Sequence, residues 1–390
     1  MVFSSCNNKM DVPVMPSPAG PRCEPLPPVD ASGDADTGVL HRRGLLRAGL
    51  GLLAAGALSG TSIANTGAEQ VRFFQIGTGT TGGTYFLIGG LLANAVSNPP
   101  GSRPCERGGS CGVPGLIVVA QATSGAVENI SLMRSRRLES ALVQADIAHA
   151  ALEGQGPFDK APYADLRAIA NLYTETIHLV VRADSGIKTP ADLRGKRVVL
   201  GEQGSGTLVT ARALLASYGL SERTVKPFYL SPAAGGDRLE AGDMDAFIIV
   251  GGYPLPSVAD LARRVPIALL PFDDKRAAQL VKRLPHFTES RIEADVYDGV
   301  PATQSLGVGA QWLVRGDLKP DLVHAITASL WNEQTRSMLD NGHPRGRSVQ
   351  LATALSGLAV PLHPGAERFY REKGLLTDGQ AAAPGGSAIH

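Results

Sequence analysis

Cysteines, aromatic residues and surplus charge are all scarce in this sequence. Only 4 of its 390 residues are Cys, and 5% are aromatic. So few cysteines exclude a scaffold held together by disulfides, and the 43% of hydrophobic residues are enough for sizeable cores without one. The 37 Lys and Arg residues balance the 36 Asp and Glu residues, and no basic run is present. The composition therefore gives no reason to expect nucleic acid or an acidic membrane surface as a partner, and the length predicts about two domains.

A membrane-spanning stretch is also missing near the N-terminus. Arg42 and Arg43 precede an apolar run over residues 48–58, which is followed by small residues ending at Ala64. As a helix this run would extend about 16 Å, which is too short for a bilayer. Residues 41–64 are therefore interpreted as an export signal, similar to a twin-arginine signal, with cleavage near Ala64. A Sec-type signal remains the alternative.

Residues 1–40 have little that would fold. They contain seven Pro and no apolar periodicity, so we predict a disordered extension. An extension of this length is unusual ahead of a signal peptide, and a true start near Val39 is the alternative interpretation.

Two of the four cysteines remain once the signal is removed. Cys105 and Cys111 lie in a polar loop rich in Pro and Gly over residues 99–111. No second Cys pair or His pair lies nearby, so the loop lacks the four ligands of a zinc site. An oxidising compartment favours a local disulfide between the two, with a modest gain in stability because the closed loop is short. Two free surface thiols remain the alternative.

Short β-rich runs alternate with Gly-rich turns and helical spacing along the rest of the chain. The first such unit is a strand over residues 71–76, a turn over 77–83 and a helix over 85–96. The same order recurs from Leu116 and from Ala141. Strands that alternate with helices predict a mostly parallel sheet flanked by helices.

A second block of the same kind begins after Tyr173. One of its strands runs into a turn over residues 202–207 that is rich in Gly, Ser and Thr and is followed by a helix, as in the first block. We therefore predict an α/β fold with two similar lobes around a shared cleft. Residues 65–175 and 291–390 would form one lobe, and residues 176–290 the other.

Several motifs of catalysis and cofactor binding are present only in part. Gly77-x-Gly79-x-x-Gly82 fits the dinucleotide fingerprint, but the next strand ends at Gln121 and not at the acidic residue that holds the ribose. No Walker lysine follows either Gly-rich turn, and Ser110 in Gly-x-Ser-x-Gly lies in a loop between prolines, not in a strand-to-helix elbow. The 8 His residues are scattered without metal-ligand spacing. We predict no catalytic residue, no metal and no cofactor; an exported NAD(P)-dependent oxidoreductase is an alternative.

The turns at the strand ends are where an open α/β sheet binds ligands. Helix N-termini there have unpaired N–H groups and about half a positive charge, which hold carboxylates without a lysine. The candidate ligand-binding residues add directional hydrogen bonds in and beside these turns, and they are Thr80, Thr81, Tyr85, Ser124, Gln144, Tyr173, Ser205 and Thr207. Each of these residues has a structural alternative. The hydroxyl and amide side chains could instead cap helices or form turns, and the two tyrosines could instead belong to the core.

These motifs together resemble the TAXI family of solute-binding proteins, the substrate-capturing components of TRAP transporters, over residues 73–373. The matching blocks, in family order, are residues 76–85, 122–129, 143–146, 166–173, 185–188, 204–207 and 361–366. The loop that holds Cys105 and Cys111 is similar to an insertion carried by a subset of members.

The resemblance implies two α/β lobes joined by two hinge strands, as in a type II periplasmic binding protein. Such a protein captures a small ligand by hinge closure, without catalysis, and delivers it to membrane subunits that use an ion gradient. Family members are associated with glutamate, glutamine and related dicarboxylates. We therefore expect a periplasmic receptor whose partners are a small carboxylate or amino acid and the membrane subunits of a TRAP transporter. A ligand sensor for a membrane kinase is a further alternative.

Overall fold

The computed structural model describes residues 71–272, 275–284 and 286–377. The predicted extension over residues 1–40 and the export signal over residues 41–64, with its cleavage near Ala64, lie outside this range. Within the described part, no helix is long and apolar enough to cross a membrane.

Strands and helices alternate along the described part of the chain. The strands are β1 (Arg72–Gly77), β2 (Ser97–Asn98), β3 (Val113–Pro114), β4 (Leu116–Gln121), β5 (Ser140–Gln144), β6 (Leu166–Arg182), β7 (Arg197–Val199), β8 (Lys226–Phe228), β9 (Ala246–Gly251), β10 (Ile267–Leu269), β11 (Phe287–Ile292) and β12 (Thr303–Arg315). The helices are α1 (Thr84–Val96), α2 (Ala126–Arg134), α3 (Ala145–Glu153), α4 (Gly206–Ser217), α5 (Pro232–Glu240), α6 (Pro256–Arg264), α7 (Lys275–Arg283), α8 (Pro320–Leu330), α9 (Glu333–Gly342) and α10 (Pro364–Glu372).

The strands pair into one mixed sheet. Its order is β3-β2-β4-β1-β5-β12-β6-β9-β7-β8, with β10 paired to β6 and β11 paired to β12. The neighbours β4, β1 and β5 are parallel, and so are β9, β7 and β8. Between these groups lie β12 and β6, which are antiparallel to each other and to β5 and β9. The predicted parallel sheet is thus present as two parallel groups separated by an antiparallel pair.

The two central strands connect the parallel groups. Strand β6 has 17 residues and β12 has 13. The first part of β6 pairs with β12, and its last part pairs with β9. We call the group β1–β5 with its packed helices the first lobe, and the group β7–β9 with its packed helices the second lobe. The two-lobed α/β fold class is confirmed, whereas the predicted lobe boundaries fall inside β6 and β11 and stay predictions.

The unit β1–turn–α1 shows how the local sequence produces these elements. In β1, Phe74 and Ile76 alternate with exposed or half-buried residues and enter the core. Helix α1 buries Ile88 and Leu92, four residues apart and therefore on one helical face. At Gly89 the helix passes so close to the turn that a Cβ atom would lie 2.3 Å from the Thr78 methyl carbon. The missing side chain at Gly89 therefore allows the second turn of α1 to pack directly against Thr78, the residue after β1.

The loop after β2 contains the predicted disulfide. Cys105 and Cys111 are bonded. The Cys111 N–H donates to Gln334 Oε1 at 2.9 Å, and Gln334 Nε2 donates to the Gly109 carbonyl at 2.8 Å. The loop is thereby held against the start of α9, in the first lobe.

Candidate functional site

A cavity of about 70 Å³ lies between the two lobes, at the carboxyl ends of their strands. Five helices begin at its wall. Thr84 of α1, Ala126 of α2, Gly206 of α4 and Pro232 of α5 line it, as does Gln144, the residue that precedes α3. Because each helix N-terminus has unpaired N–H groups and a partial positive charge, their convergence makes this cavity attractive to an anion.

The helices differ in how their first N–H groups are satisfied. The hydroxyl of Ser205 accepts from the Leu208 N–H at 3.1 Å, and that of Ser231 accepts from the Ala234 N–H at 3.3 Å, so α4 and α5 have side-chain caps. Helices α1, α2 and α3 have no capping hydrogen bond from the side chain that precedes them. Without such caps, these N-termini present their partial positive charge to the cavity, although the Glu128 N–H of α2 donates to the Gly204 carbonyl and N–H groups at the start of α3 donate to the Asp146 carboxyl.

Six of the eight predicted residues come together in the lining, namely Thr80, Tyr85, Ser124, Gln144, Ser205 and Thr207. The other two do not line this cavity. Thr81 is exposed in the turn before α1, and Tyr173 is buried against Gly252. A role of any of the eight in ligand binding stays a prediction.

Two of the lining hydroxyls already have structural partners. Ser205 Oγ donates to the Glu202 carbonyl at 2.7 Å, in addition to capping α4. Thr207 Oγ1 accepts from the Val250 N–H of β9 at 3.2 Å. Both hydroxyls therefore have the structural role that was the alternative to ligand binding: Ser205 caps a helix, and Thr207 binds the backbone of a neighbouring strand.

Gln144 differs from these hydroxyls because part of its amide has no partner. The side chain is 3% exposed, and its Nε2 atom has no hydrogen-bond acceptor among the described residues. Its Oε1 atom points at the second lobe, where a Cβ atom on Gly206 would lie only 1.6 Å away. A buried donor without a partner costs about 1–3 kcal/mol. Gln144 therefore offers an N–H group to a molecule in the cavity.

Glu175 also lines the cavity, and it was not predicted from the sequence. It lies in the middle of β6 and is 3% exposed. The Tyr85 hydroxyl donates to Glu175 Oε2 at 2.6 Å. Burial raises the pKa of Glu175 to about 8, with a further upward contribution from Asp146, while the hydrogen bond from Tyr85 acts in the opposite direction. A single acidic residue among the 17 residues of this strand was the available signal.

Burial also raises the pKa values of the titratable groups around Glu175, which favours their neutral forms. Burial raises the pKa of Tyr85 and of Tyr173 well above the usual value for a phenol, so both keep their protons. The Tyr173 hydroxyl has no partner within the described residues. Burial raises the pKa of Asp146 to about 7, against backbone hydrogen bonds at the start of α3 that lower it.

The lobes touch each other around the cavity. The Glu128 N–H in the first turn of α2 donates to the Gly204 carbonyl at 2.9 Å. The Thr84 hydroxyl donates to the Gly252 carbonyl at the end of β9. Arg345 Nε donates to the Tyr253 carbonyl at 2.9 Å, and its guanidinium carbon lies 3.6 Å from the centre of the Tyr253 ring. These contacts join the two lobes beside the cavity.

Basic side chains are absent from the described residues that line the cavity, which include Glu175 and Glu202 but no Lys, Arg or His. No group of three or more metal-ligating side chains occurs in the part of the chain that the structure describes. Strand β4 ends at Gln121, so the acidic residue of the dinucleotide fingerprint is missing from its structural position as well. The lining suits a ligand with one anionic end held by N–H and amide donors.

Comparison with known proteins gives a family match and several structural likenesses. The model of the NMT1-like family matches residues 76–374. The periplasmic aliphatic sulphonate binding protein SsuA from Escherichia coli is 17% identical, over 70% of this chain and 75% of that one, with a TM-score of 0.37. PhnD1 from Prochlorococcus marinus, solved with methylphosphonate, is 12% identical over 78% of this chain and 99% of that one, with a TM-score of 0.45. A TctC solute binding protein from Polaromonas is 19% identical over 70% of this chain and 88% of that one, with a TM-score of 0.40.

Proposed function

The chain belongs to the NMT1-like family, and from this premise and the geometry of the cavity we propose that it is a solute-binding receptor of a transporter. It captures a small organic anion or amino acid, such as glutamate, glutamine or a related dicarboxylate, when its lobes close. It acts by binding and release and not by catalysis. Its partners are the membrane subunits of a TRAP transporter, which take up the ligand with an ion gradient, and it works in the periplasm after export.

One observation carries this proposal: among the described residues, five helices begin at one cavity between the lobes, next to a buried amide that lacks an acceptor. Helix N-termini bind anions through backbone N–H groups, and the Nε2 atom of Gln144 adds a directional donor. A carboxylate supplies acceptors for both. Both lobes contribute to the lining, so a bound ligand would favour the closed arrangement by bridging them.

The assignment to a TRAP transporter is supported by where the TAXI-like blocks lie. Residues 76–85 span the end of β1, its turn and the start of α1. Residues 122–129 lead into α2, residues 143–146 lead into α3, and residues 204–207 lead into α4. All four blocks therefore contribute to the wall of the cavity. The resemblance thus resides in the residues that would contact the ligand.

The test is a thermal-shift screen of the full chain against amino acids, dicarboxylates, oxo acids, sugars and nicotinamide cofactors. A ligand at about 100 times its Kd stabilises the folded state by roughly 2.7 kcal/mol, which corresponds to a shift of several degrees. We expect such a shift with one class of carboxylate. A shift with nicotinamide cofactors alone would contradict the receptor proposal and would favour the oxidoreductase alternative.

A further inference from the structure

We propose that Glu175 accepts a hydrogen bond from an ammonium group of the ligand, so that the cavity selects a zwitterionic amino acid over an oxo acid or a plain dicarboxylate. This inference rests on the proposed function, because it assumes that the cavity is the ligand site. It assigns Glu175 as the residue that determines specificity.

The first argument is the distribution of charge around the cavity. One part of the wall consists of helix N-termini and the free amide N–H of Gln144, all of which attract an anion. The charged side chains among the described lining residues are Glu175 and Glu202, and both are acidic. A ligand with only negative groups satisfies the helix N-termini but leaves the carboxyl groups without a cationic partner. A zwitterion satisfies both kinds of group.

The second argument is the geometry of the carboxyl group. Its Oε2 atom accepts from the Tyr85 hydroxyl at 2.6 Å. Among the described residues, no hydrogen bond reaches the other oxygen, Oε1. Tyr85 therefore orients the carboxylate while one oxygen remains for the ligand. An ammonium group has three N–H donors and no acceptor, so it suits this oxygen.

The third argument concerns protonation. The titratable groups that face Glu175 are Tyr85 from α1, Asp146 from α3 and Tyr173 from its own strand, with Arg345 beyond Tyr173. Burial raises the pKa of Glu175 to about 8. The free protein therefore holds a proton on Glu175 at neutral pH, and an ammonium group has to displace it. The affinity for an amino acid should then rise by roughly tenfold per pH unit from pH 6 towards pH 8.

The experiment compares L-amino acids with their 2-oxo acid counterparts by calorimetry on the full chain at pH 7. We expect at least one amino acid to bind about 100-fold more tightly than its 2-oxo acid. If a 2-oxo acid or a dicarboxylate binds as well as or better than every amino acid, the inference is wrong while the receptor proposal stands. If no carboxylate of either kind binds, both are wrong.

Two variants separate the charge of Glu175 from the fold. Glu175→Gln keeps the shape and an acceptor for Tyr85 but removes the charge, and we expect it to weaken amino acid binding by about 10- to 100-fold. Glu289→Gln, an identical change on the exposed face of β11, should leave binding unchanged. Equal affinities for the two variants would overturn the inference, provided that melting curves show both to be folded.

The pH profile gives a further test when it is measured on the unmodified protein and on Glu175→Gln, because Asp146, with a pKa of about 7, titrates in the same range. We expect the affinity for the amino acid to rise from pH 6 to pH 8 and then to level off. If Glu175 instead donated its proton to a second carboxylate of the ligand, the affinity would fall as the pH rises through 8. That opposite slope would contradict the inference, because it identifies a carboxylate and not an ammonium group next to Glu175.

Discussion

Two buried polar side chains, Gln144 and Glu175, give the cavity its chemical character. Each lies at the end or in the middle of a buried strand, where an apolar residue would be the stabilising choice. Glu175 has one partner, Tyr85, and the Nε2 atom of Gln144 has none among the described residues. Polar groups that the fold leaves partly unsatisfied indicate a binding function, because a ligand can supply the missing hydrogen bonds.

Gln144→Met tests this at the residue scale. Methionine has a similar length but no amide, so the variant loses one N–H donor to a charged ligand group. We expect the affinity for the ligand found in the screen to fall by about 10-fold or more, while the melting temperature of the free protein stays equal or rises because an unsatisfied donor is removed. Calorimetry and thermal melts measure the two effects.

The control for this change is Gln279→Met on the exposed face of α7. It removes the same group at a distance from the cavity and should leave affinity unaltered. A Gln144→Met protein that binds normally would show that the amide does not contact the ligand.

At the scale of secondary-structure elements, the helix starts are the functional units. Glycines lie at points of close approach between the lobes, both in the turns before α1, α2 and α4, as at Gly204, and at Gly206, the first residue of α4. A Cβ atom on Gly204 would lie 3.4 Å from the Glu128 Cβ atom, and one on Gly206 would overlap the Gln144 amide. The glycines thus allow the start of α4 to approach the first lobe.

Gly206→Ala is therefore expected to separate binding from stability. Gly206 is the first residue of α4, where Ala favours the helix by up to about 1 kcal/mol relative to Gly. The added methyl group displaces the Gln144 side chain, and we expect ligand affinity to fall by at least 10-fold without a loss of stability. Urea titration and calorimetry give the two quantities. Normal affinity would mean that the lobes do not approach this closely when the ligand is bound.

The disulfide loop is a structural element of the first lobe and not part of the cavity. Its bond closes a short loop, which the chain-entropy estimate values at roughly 2 kcal/mol. Replacing both Cys105 and Cys111 by Ser should lower the free energy of unfolding by up to that amount and leave ligand affinity unchanged. Chemical denaturation and calorimetry check this, and a large loss of affinity would mean that the loop supports the binding site.

At the scale of the whole molecule, β6 and β12 link the lobes, and buried titratable groups lie along this junction. His178 is fully buried in β6, with Nδ1 at 2.8 Å from the Thr176 carbonyl and Nε2 at 2.9 Å from the Tyr297 hydroxyl. Burial lowers its pKa to about 4. Neutral His178 is therefore part of the folded junction.

We expect the burial of neutral His178 to make the free energy of unfolding depend on pH. Its pKa is about 4 in the folded state and roughly 6.5 in the unfolded state, so the unfolded chain binds more protons between these values. The contribution of His178 is complete above pH 6.5 and is lost as the pH falls towards 4, by about 3 kcal/mol in total. Glu175 has the opposite sign, since its raised pKa lowers stability as the pH rises from about 4.5 to 8.

Urea titrations of the unmodified protein and of His178→Gln at pH 7, 6 and 5 isolate the contribution of His178 to stability. All other titratable groups are present in both proteins, so their contributions cancel in the difference. We expect the difference in free energy of unfolding between the two proteins to shrink as the pH falls. A difference that stays constant from pH 7 to pH 5 would show that His178 can be protonated in the folded state.

Much of the architecture was predictable because it depends on local patterns. Alternation in β1, the Gly-rich turn and the apolar face of α1 each follow from neighbouring residues, and six predicted side chains meet at one cavity. The continuity of β6 was not predicted. The three consecutive polar residues Thr174, Glu175 and Thr176 predict the end of one strand and the start of another. In the fold, however, they are paired with β12 and β9 within one continuous strand. Long-range pairing overrides a local signal there.

Local sequence is enough to predict the strand–turn–helix units, the helix N-termini and the short loop in which the two cysteines meet, because these depend on residues close in the chain. The tertiary structure was needed to show which of the turn residues share a wall. It also decided that Thr81 and Tyr173 stay outside the lining and that Glu175 lies within it. These outcomes depend on how far α4 approaches the first lobe and on the Tyr85 hydroxyl that orients Glu175, contacts between residues 62 and 90 positions apart.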